Sequence, residues 1–192
     1  MKPTPARHEP DCLRDHFLIA MPSLNDGYFS HAVTYICDHD EQGALGLVIN
    51  QPTEFSLREL LEHVELEPGE DLPEMPVYRG GPVQPEHGFV LHSAEQTWRG
   101  SQPITDSIVL TTSRDILEAI NAGHGPRRVL VALGHAGWGP GQLESELADN
   151  AWLTARADAD ILFDRASAER WRAAAELIGI DVNLISSASG HA

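Results

Sequence analysis

Lysine is almost missing from this chain. It occurs once, at Lys2, and the other twelve basic residues are arginines. With 29 Asp and Glu against 13 Lys and Arg, the formal net charge is −16. Nucleic-acid binding is driven by basic groups that neutralise phosphates. A field this negative repels a polyanion before contact forms, so direct nucleic-acid binding is not expected. Cysteine is scarce too, with only Cys12 and Cys37. Neither lies in a C-x-x-C or zinc-ligand spacing, so both are expected as free thiols. No apolar run approaches the ~18 residues of a membrane span. The opening MKPTPARHEPDCLRD has no apolar centre either, which excludes a secretory signal in that stretch. It reads as a flexible tail over 1–15, followed by one domain over 16–192. Cytoplasmic residence is the expectation.

Catalytic and metal signatures are equally absent. The ten histidines form no H-x-H or H-E-x-x-H pattern, so no metal site is expected. No G-x-S-x-G elbow is present, and no catalytic residue can be assigned. No cofactor is expected. At 192 residues the chain can bury roughly 70% of its unfolded surface, so neither disulfides nor a metal are needed for folding.

What is present reads as mixed strands and helices. FLIAM (Phe17–Met21) is a short apolar run stopped by Pro22. AVTYICD and ALGLVIN flank a polar turn and predict a β-hairpin. Ser56 and Glu59 form a capping-box pattern for a helix reaching Val64. Residues 65–76 read as an acidic, proline-rich loop. VYRG, HGFVLHS and ITDSIVLTT are further strands. Thr112 and Asp115 open a helix that Gly123 ends. RRVLVAL is a near-continuous apolar strand of the kind buried on both faces. A helix spans 142–149, DILFD (160–164) reads as a strand, and Ser167 caps a last helix ended by Gly179. In that helix Trp171, Ala174, Ala175 and Ile178 share a face. The fold expected is an α/β or α+β domain: a layered mixed β-sheet with helices packed on it, with room for a small α+β insertion.

Two glycine-rich stretches stand out. LGHAGWGPGQLESELADNAWL (Leu133–Leu153) packs four glycines into what reads as one bend before a helix. At least one of Gly134, Gly137, Gly139 and Gly141 is expected at positive φ. A strand feeding a glycine turn and a helix is the geometry of phosphate loops. The spacing matches neither G-x-G-x-x-G nor a Walker loop, and Glu144 and Glu146 would repel phosphate. The alternatives are a hard strand-to-helix corner plugged by Trp138, or a pocket lined by His135, Trp138 and Gln142. Arg79-Gly80-Gly81-Pro82 reads as a turn between strands. If VYRG and RRVLVAL run parallel in one sheet, both glycine stretches leave the same sheet end, where ligand crevices form. They would then face one concave surface, with His92 or His135 and Trp138 on its wall.

Together, FLIAMPSLNDGYF, CDHDEQGALGLVINQP, VYRGGPVQPEHGFVLHS, the 133–153 stretch and ILFD with the later RW pair resemble the YqgE/AlgH family of small bacterial proteins. The resemblance spans about His16 to His191. It implies a cytosolic protein with helices on a mixed sheet, and a regulatory label without an established reaction or any required DNA contact. Three positions depart from the family pattern. Gly27 replaces a proline, His87 an arginine before Gly88, and His135 a tyrosine before Ala136. The function expected is that of a non-enzymatic regulatory or adaptor protein. It would bind a protein partner or small ligand at the glycine-rich motifs, through Gly80, Gly81, His92, His135, Trp138 and Gln142. The alternative is an enzyme of unassigned reaction on a nucleotide-like or acyl substrate.

Overall fold

The computed structural model describes residues 12–188. Of the tail expected over 1–15, residues 1–11 lie outside the described residues. Residues 12–15 lie against β2 (Val33–Asp40): the Leu13 N–H donates to His39 Nδ1 (3.0 Å), and the Tyr35 hydroxyl donates to Asp15 (3.0 Å).

The described residues form ten strands and six helices. In chain order β1 (His16–Ala20) is followed by β2, β3 (Gly43–Val48), β4 (Pro52–Ser56) and α1 (Leu57–His63). Next come β5 (Pro76–Arg79), β6 (Val83–Ser93), β7 (Gln102–Pro103), β8 (Ile108–Thr111) and α2 (Arg114–Asn121). The chain continues with β9 (Val129–Trp138), α3 (Gln142–Ala148), β10 (Trp152–Arg156), α4 (Ala159–Phe163), α5 (Ser167–Glu176) and α6 (Val182–Ala188). The sheet runs β10-β1-β2-β3-β9-β6-β8-β7, with β5 attached to β9 and β4 to β5. Only β5–β9 is parallel; every other pairing is antiparallel. The mixed sheet with packed helices is the architecture expected.

Three apolar clusters hold these layers together. Alternate residues of β1 and β2, including Phe17, Ile19, Val33 and Tyr35, face a central core shared with Ile161, Leu162, Ala174 and Ala175. Their neighbours Leu18, Ala20 and Ile36 face a second cluster with Leu143 of α3. Over the other half of the sheet, Leu57, Leu60 and Leu61 of α1 and Ile116, Leu117 and Ile120 of α2 cover Val77, Val90 and Val131. The spacing of the buried α2 residues is that of one helix face. Each fully buried Leu or Ile contributes about 1.5–3 kcal/mol.

Local chemistry explains most boundaries and five corrections. The helix expected to be last and capped by Ser167 is α5, whose cap position is Ala166 with Ser167 already its first residue, and α6 follows it. At α1 the Ser56 N–H donates to the Glu59 carboxylate (2.8 Å) and the Glu59 N–H donates to Ser56 Oγ (3.3 Å), the capping box expected. At α2 the cap is Ser113, one residue after Thr112, and its hydroxyl contacts Arg99 and Asp115 instead of capping. DILFD is not a strand. Asp158 accepts from the N–H groups of Asp160 and Ile161 (both 3.0 Å) and starts α4 there. Residues 104–107 turn before β8, with Thr105 Oγ1 accepting from the N–H groups of Ser107 and Ile108. The glycine stretch is not one bend either. It stays extended through Trp138 as the end of β9, and the corner is confined to residues 139–141.

β9 is the spine. Leu130 and Ala132 face the central core, yet Ala136 and Trp138 face the second cluster. The alternation changes face at Gly134, which takes a left-handed conformation (φ 72°). This is how a bulge re-aims a strand.

Candidate functional site

The glycine motifs meet backbone to backbone. β5 lies parallel to the first half of β9, pairing Val77 with Val131 and Arg79 with Leu133. β3 pairs antiparallel with its second half, Gly46 opposite Ala136. Gly80 sits between them: its N–H donates to Leu133 O and its carbonyl accepts from the Val48 N–H, both at 2.8 Å. A Cβ on Gly80 would overlap the Gly134 carbonyl, and one on Gly81 would overlap the backbone of His135 and Ala136. A Cβ on Gly134 would overlap the Gly81 carbonyl. Chains can cross this closely only without side chains. Just beyond the crossing, β6 advances from Val83 to Gly88 while β9 moves only from His135 to Leu133. The surplus residues 84–87 bulge outward and are exposed.

Trp138 and Gln142 come together around a residue that sequence reasoning missed. The indole N–H groups of Trp138 (2.9 Å) and Trp152 (2.8 Å) both donate to one oxygen of Glu146. The Gln142 amide donates to the other oxygen (3.1 Å), and its carbonyl accepts from the Gly139 N–H (3.0 Å). The two indoles pack edge to face at 6.3 Å. This clamp fixes α3 to β9 and β10. The local signal was limited to Gln142 and Glu146, four apart on one face of α3; Trp138 and Trp152 reach Glu146 from the flanking strands.

His92 lies at the far end of β6, opposite Val129, away from the crossing. It is fully buried. Its Nδ1–H donates to Ser93 O (2.9 Å) and its Nε2 accepts from the Thr111 hydroxyl (2.8 Å). Thr111 Oγ1 accepts from Ser101 Oγ (2.7 Å), which accepts from the Trp98 N–H (2.9 Å). Every ring nitrogen is satisfied, and burial holds the imidazole below the usual histidine range. His135 is the contrasting case. It is half-buried, its ring lies 5.1 Å from Phe89, and its Nδ1 has no partner. Burial, then the proximity of His87, lowers its pKa.

None of these side chains lines the cleft over this half of the sheet that has the most apolar floor. That cleft, of about 430 Å³, lies between α1 and α2. Val90, Val131 and Leu133 form its floor, and Leu60, Val64 and Leu117 its walls. Polar and charged side chains stand at the rim: His63, Glu65, Glu86 and Arg114. Gly88 opens it: a Cβ built there meets nothing within 4 Å. The size suits a small ligand or a few partner side chains. Sequence reasoning passed over these residues because a helix face that covers a sheet incompletely carries the same pattern as one that seals it.

The AlgH-like family model matches residues 17–183 of the chain. The chain belongs to the AlgH-like family. A UPF0301 protein of Thioalkalivibrio sulfidiphilus is 57% identical over 178 residues, covering 93% of this chain and 96% of the relative. One from Methylococcus capsulatus is 47% identical over 184 residues, covering 95% and 98%. The solution structure of the AlgH protein from Pseudomonas aeruginosa matches with TM-score 0.79 at 45% identity, covering the whole of both chains. A Corynebacterium diphtheriae protein shares the fold at TM-score 0.73 and 19% identity, with 94% and 95% covered. Among the described residues, no helix is long and apolar enough to cross a membrane.

Proposed function

We propose that this family member is a cytosolic, non-enzymatic regulatory or adaptor protein, and that it binds in the cleft between α1 and α2. One observation carries the reading. The cleft has an apolar floor held open by the bare backbone of Gly88, whereas the polar groups of His92, Trp138 and Gln142 are occupied within the fold. Binding sites combine an apolar surface with a few polar groups at the edge. The hydroxyl of Ser113 at this cleft is already engaged with Arg99 and Asp115 and is no free nucleophile.

The glycine motifs serve this site from behind. The crossing at Gly80, Gly81 and Gly134 fixes the bulge that carries Glu86 to the rim, and His135 lies beneath it opposite Val83. The net charge of −16 keeps duplex DNA away from such a surface.

The test fills the cleft without straining the backbone, using Gly88→Leu. A ligand that binds only the folded chain raises its stability in proportion to occupancy. Millimolar indole should raise the melting temperature of the wild-type protein and leave that of Gly88→Leu unmoved. Equal shifts in both proteins would reject the cleft as the binding site.

A further inference from the structure

We infer that the occupant of this cleft is a basic segment of a partner protein that inserts apolar side chains between α1 and α2. The inference rests on the cleft reading above and adds the chemistry of the partner.

The apolar part follows from the floor and walls, where Leu60, Val90, Leu117, Val131 and Leu133 present no hydrogen-bonding side chain to a guest. The charge follows from the rim and from what lies beside it. Among the described residues, Arg114 is the only Lys or Arg lining the cleft. Its guanidinium is already held by Glu118 (3.2 Å) and the Glu65 carbonyl (3.5 Å). Glu65 and Glu86 form no ion pair among the described residues. From Glu59 to Glu74 the chain carries seven carboxylates and no lysine or arginine.

This acidic segment is tied to the cleft walls. The Gly69 N–H donates to the Asn121 side chain and the Asn121 amide donates to Glu67 O, both at 2.8 Å. Leu66, Leu72 and Met75 pack on the α1–α2 cluster beneath. Within this exposed acidic segment Glu65 lines the cleft itself, and Glu62, Glu67, Glu70, Asp71 and Glu74 add to the negative charge of the same half of the molecule. An anionic guest, such as an acyl carboxylate or a nucleotide, would bring its charge against Glu65 and Glu86 inside a strongly negative field. A segment with lysines or arginines flanking its apolar anchors gains from both features. Complementary charge sets the partner and speeds encounter, and the buried apolar anchors supply most of the affinity.

The experiment uses fluorescence anisotropy of a labelled ten-residue peptide with two central leucines flanked by lysines. Two counterparts accompany it, one with the leucines replaced by serine and one with the lysines replaced by glutamate. Each is titrated against wild-type protein, the Glu65→Lys/Glu86→Lys variant, and a Glu169→Lys/Glu176→Lys control on α5 with the same change in total charge. The basic leucine peptide should bind the wild-type protein best. The rim variant should weaken it by about tenfold or more, and the α5 control by less than about threefold. Equal weakening by the two variants, or equal binding of the serine peptide, would overturn the inference by reducing the attraction to bulk charge. If indole still stabilises the wild-type protein and not Gly88→Leu while the basic peptide fails, the partner chemistry is wrong and the cleft stands. If both probes fail, both readings fall.

Discussion

Replacing Gly134 by alanine tests the tightest point of the fold. Gly134 holds a left-handed backbone (φ 72°), and a Cβ there would overlap the Gly81 carbonyl and lie 3.1 Å from both Pro85 Cα and Val83 O. The conformational part costs about 1 kcal/mol. The overlap is with backbone on a crossing strand, so no side-chain rotation relieves it. Overpacking of this kind adds about 1–3 kcal/mol. Two nearby glycines separate the contributions. Gly141 has the same left-handed conformation (φ 73°) with nothing within 4 Å of a Cβ, so Gly141→Ala should cost only the ~1 kcal/mol backbone part. Gly137 needs no positive φ and its nearest neighbours stand at 3.9 Å, so Gly137→Ala should fall within about 0.5 kcal/mol of the wild type. Urea unfolding followed by tryptophan fluorescence measures all three, with an unchanged slope confirming that the midpoint shift is stability. If Gly134→Ala costs no more than Gly141→Ala, the tight crossing of β9 by the β5–β6 turn is refuted.

Removing the Glu146 carboxylate by Glu146→Ala strands two indole N–H groups on tryptophans that are at most 6% exposed. At about 1–3 kcal/mol per unsatisfied donor, the loss should total roughly 2–6 kcal/mol in urea unfolding; a loss below about 1 kcal/mol would mean that the clamp is not structural. Burial holds His92 below its ordinary pKa, so as pH falls through about 6.5 the unfolded chain takes up a proton that the folded chain refuses. Stability from this residue is full above that pH and declines below it, by at most about 1.4 kcal/mol per pH unit. His92→Phe should flatten the fall between pH 7 and 5, and an unchanged slope would contradict the buried neutral ring. Cys12 is exposed, whereas Cys37 is buried with its thiol pushed above the usual range. A thiol reagent should therefore modify one cysteine quickly and the second only on unfolding; two fast reactions would refute that placement.

Much of the scaffold was legible because its signals are local. The Ser56–Glu59 box, the hairpin of β2 and β3, and the apolar run of β9 each declare themselves within about ten residues. The parallel pairing of β5 with β9 was legible only as a condition, since pairing partners are distant in sequence. DILFD misled because three apolar residues fit a strand or a helix equally, and the arbiter was Asp158 just upstream. Trp152–Arg156 was overlooked because β10 mixes apolar and polar residues without clean alternation, and it exists through pairing with β1. Glycine was the ambiguous signal. Gly80, Gly81 and Gly134 answer to a backbone crossing, Gly141 to a helix start, and Gly88 to an open cleft. The letter is the same in each case and only the surroundings differ. Among the residues singled out beforehand, Gly80, Gly81 and His135 meet, Trp138 and Gln142 join Glu146, and His92 stands apart.

The most direct measurement of the central claim is a methyl-resolved NMR titration of the full chain with indole. Binding between α1 and α2 predicts shifts concentrated on the methyls of Leu60, Val64, Val90, Leu117, Val131 and Leu133, all of which line the cleft, with their loss in Gly88→Leu. Shifts centred instead on Leu143 and Val48, beside the Trp138 clamp, with the cleft methyls silent, would contradict it.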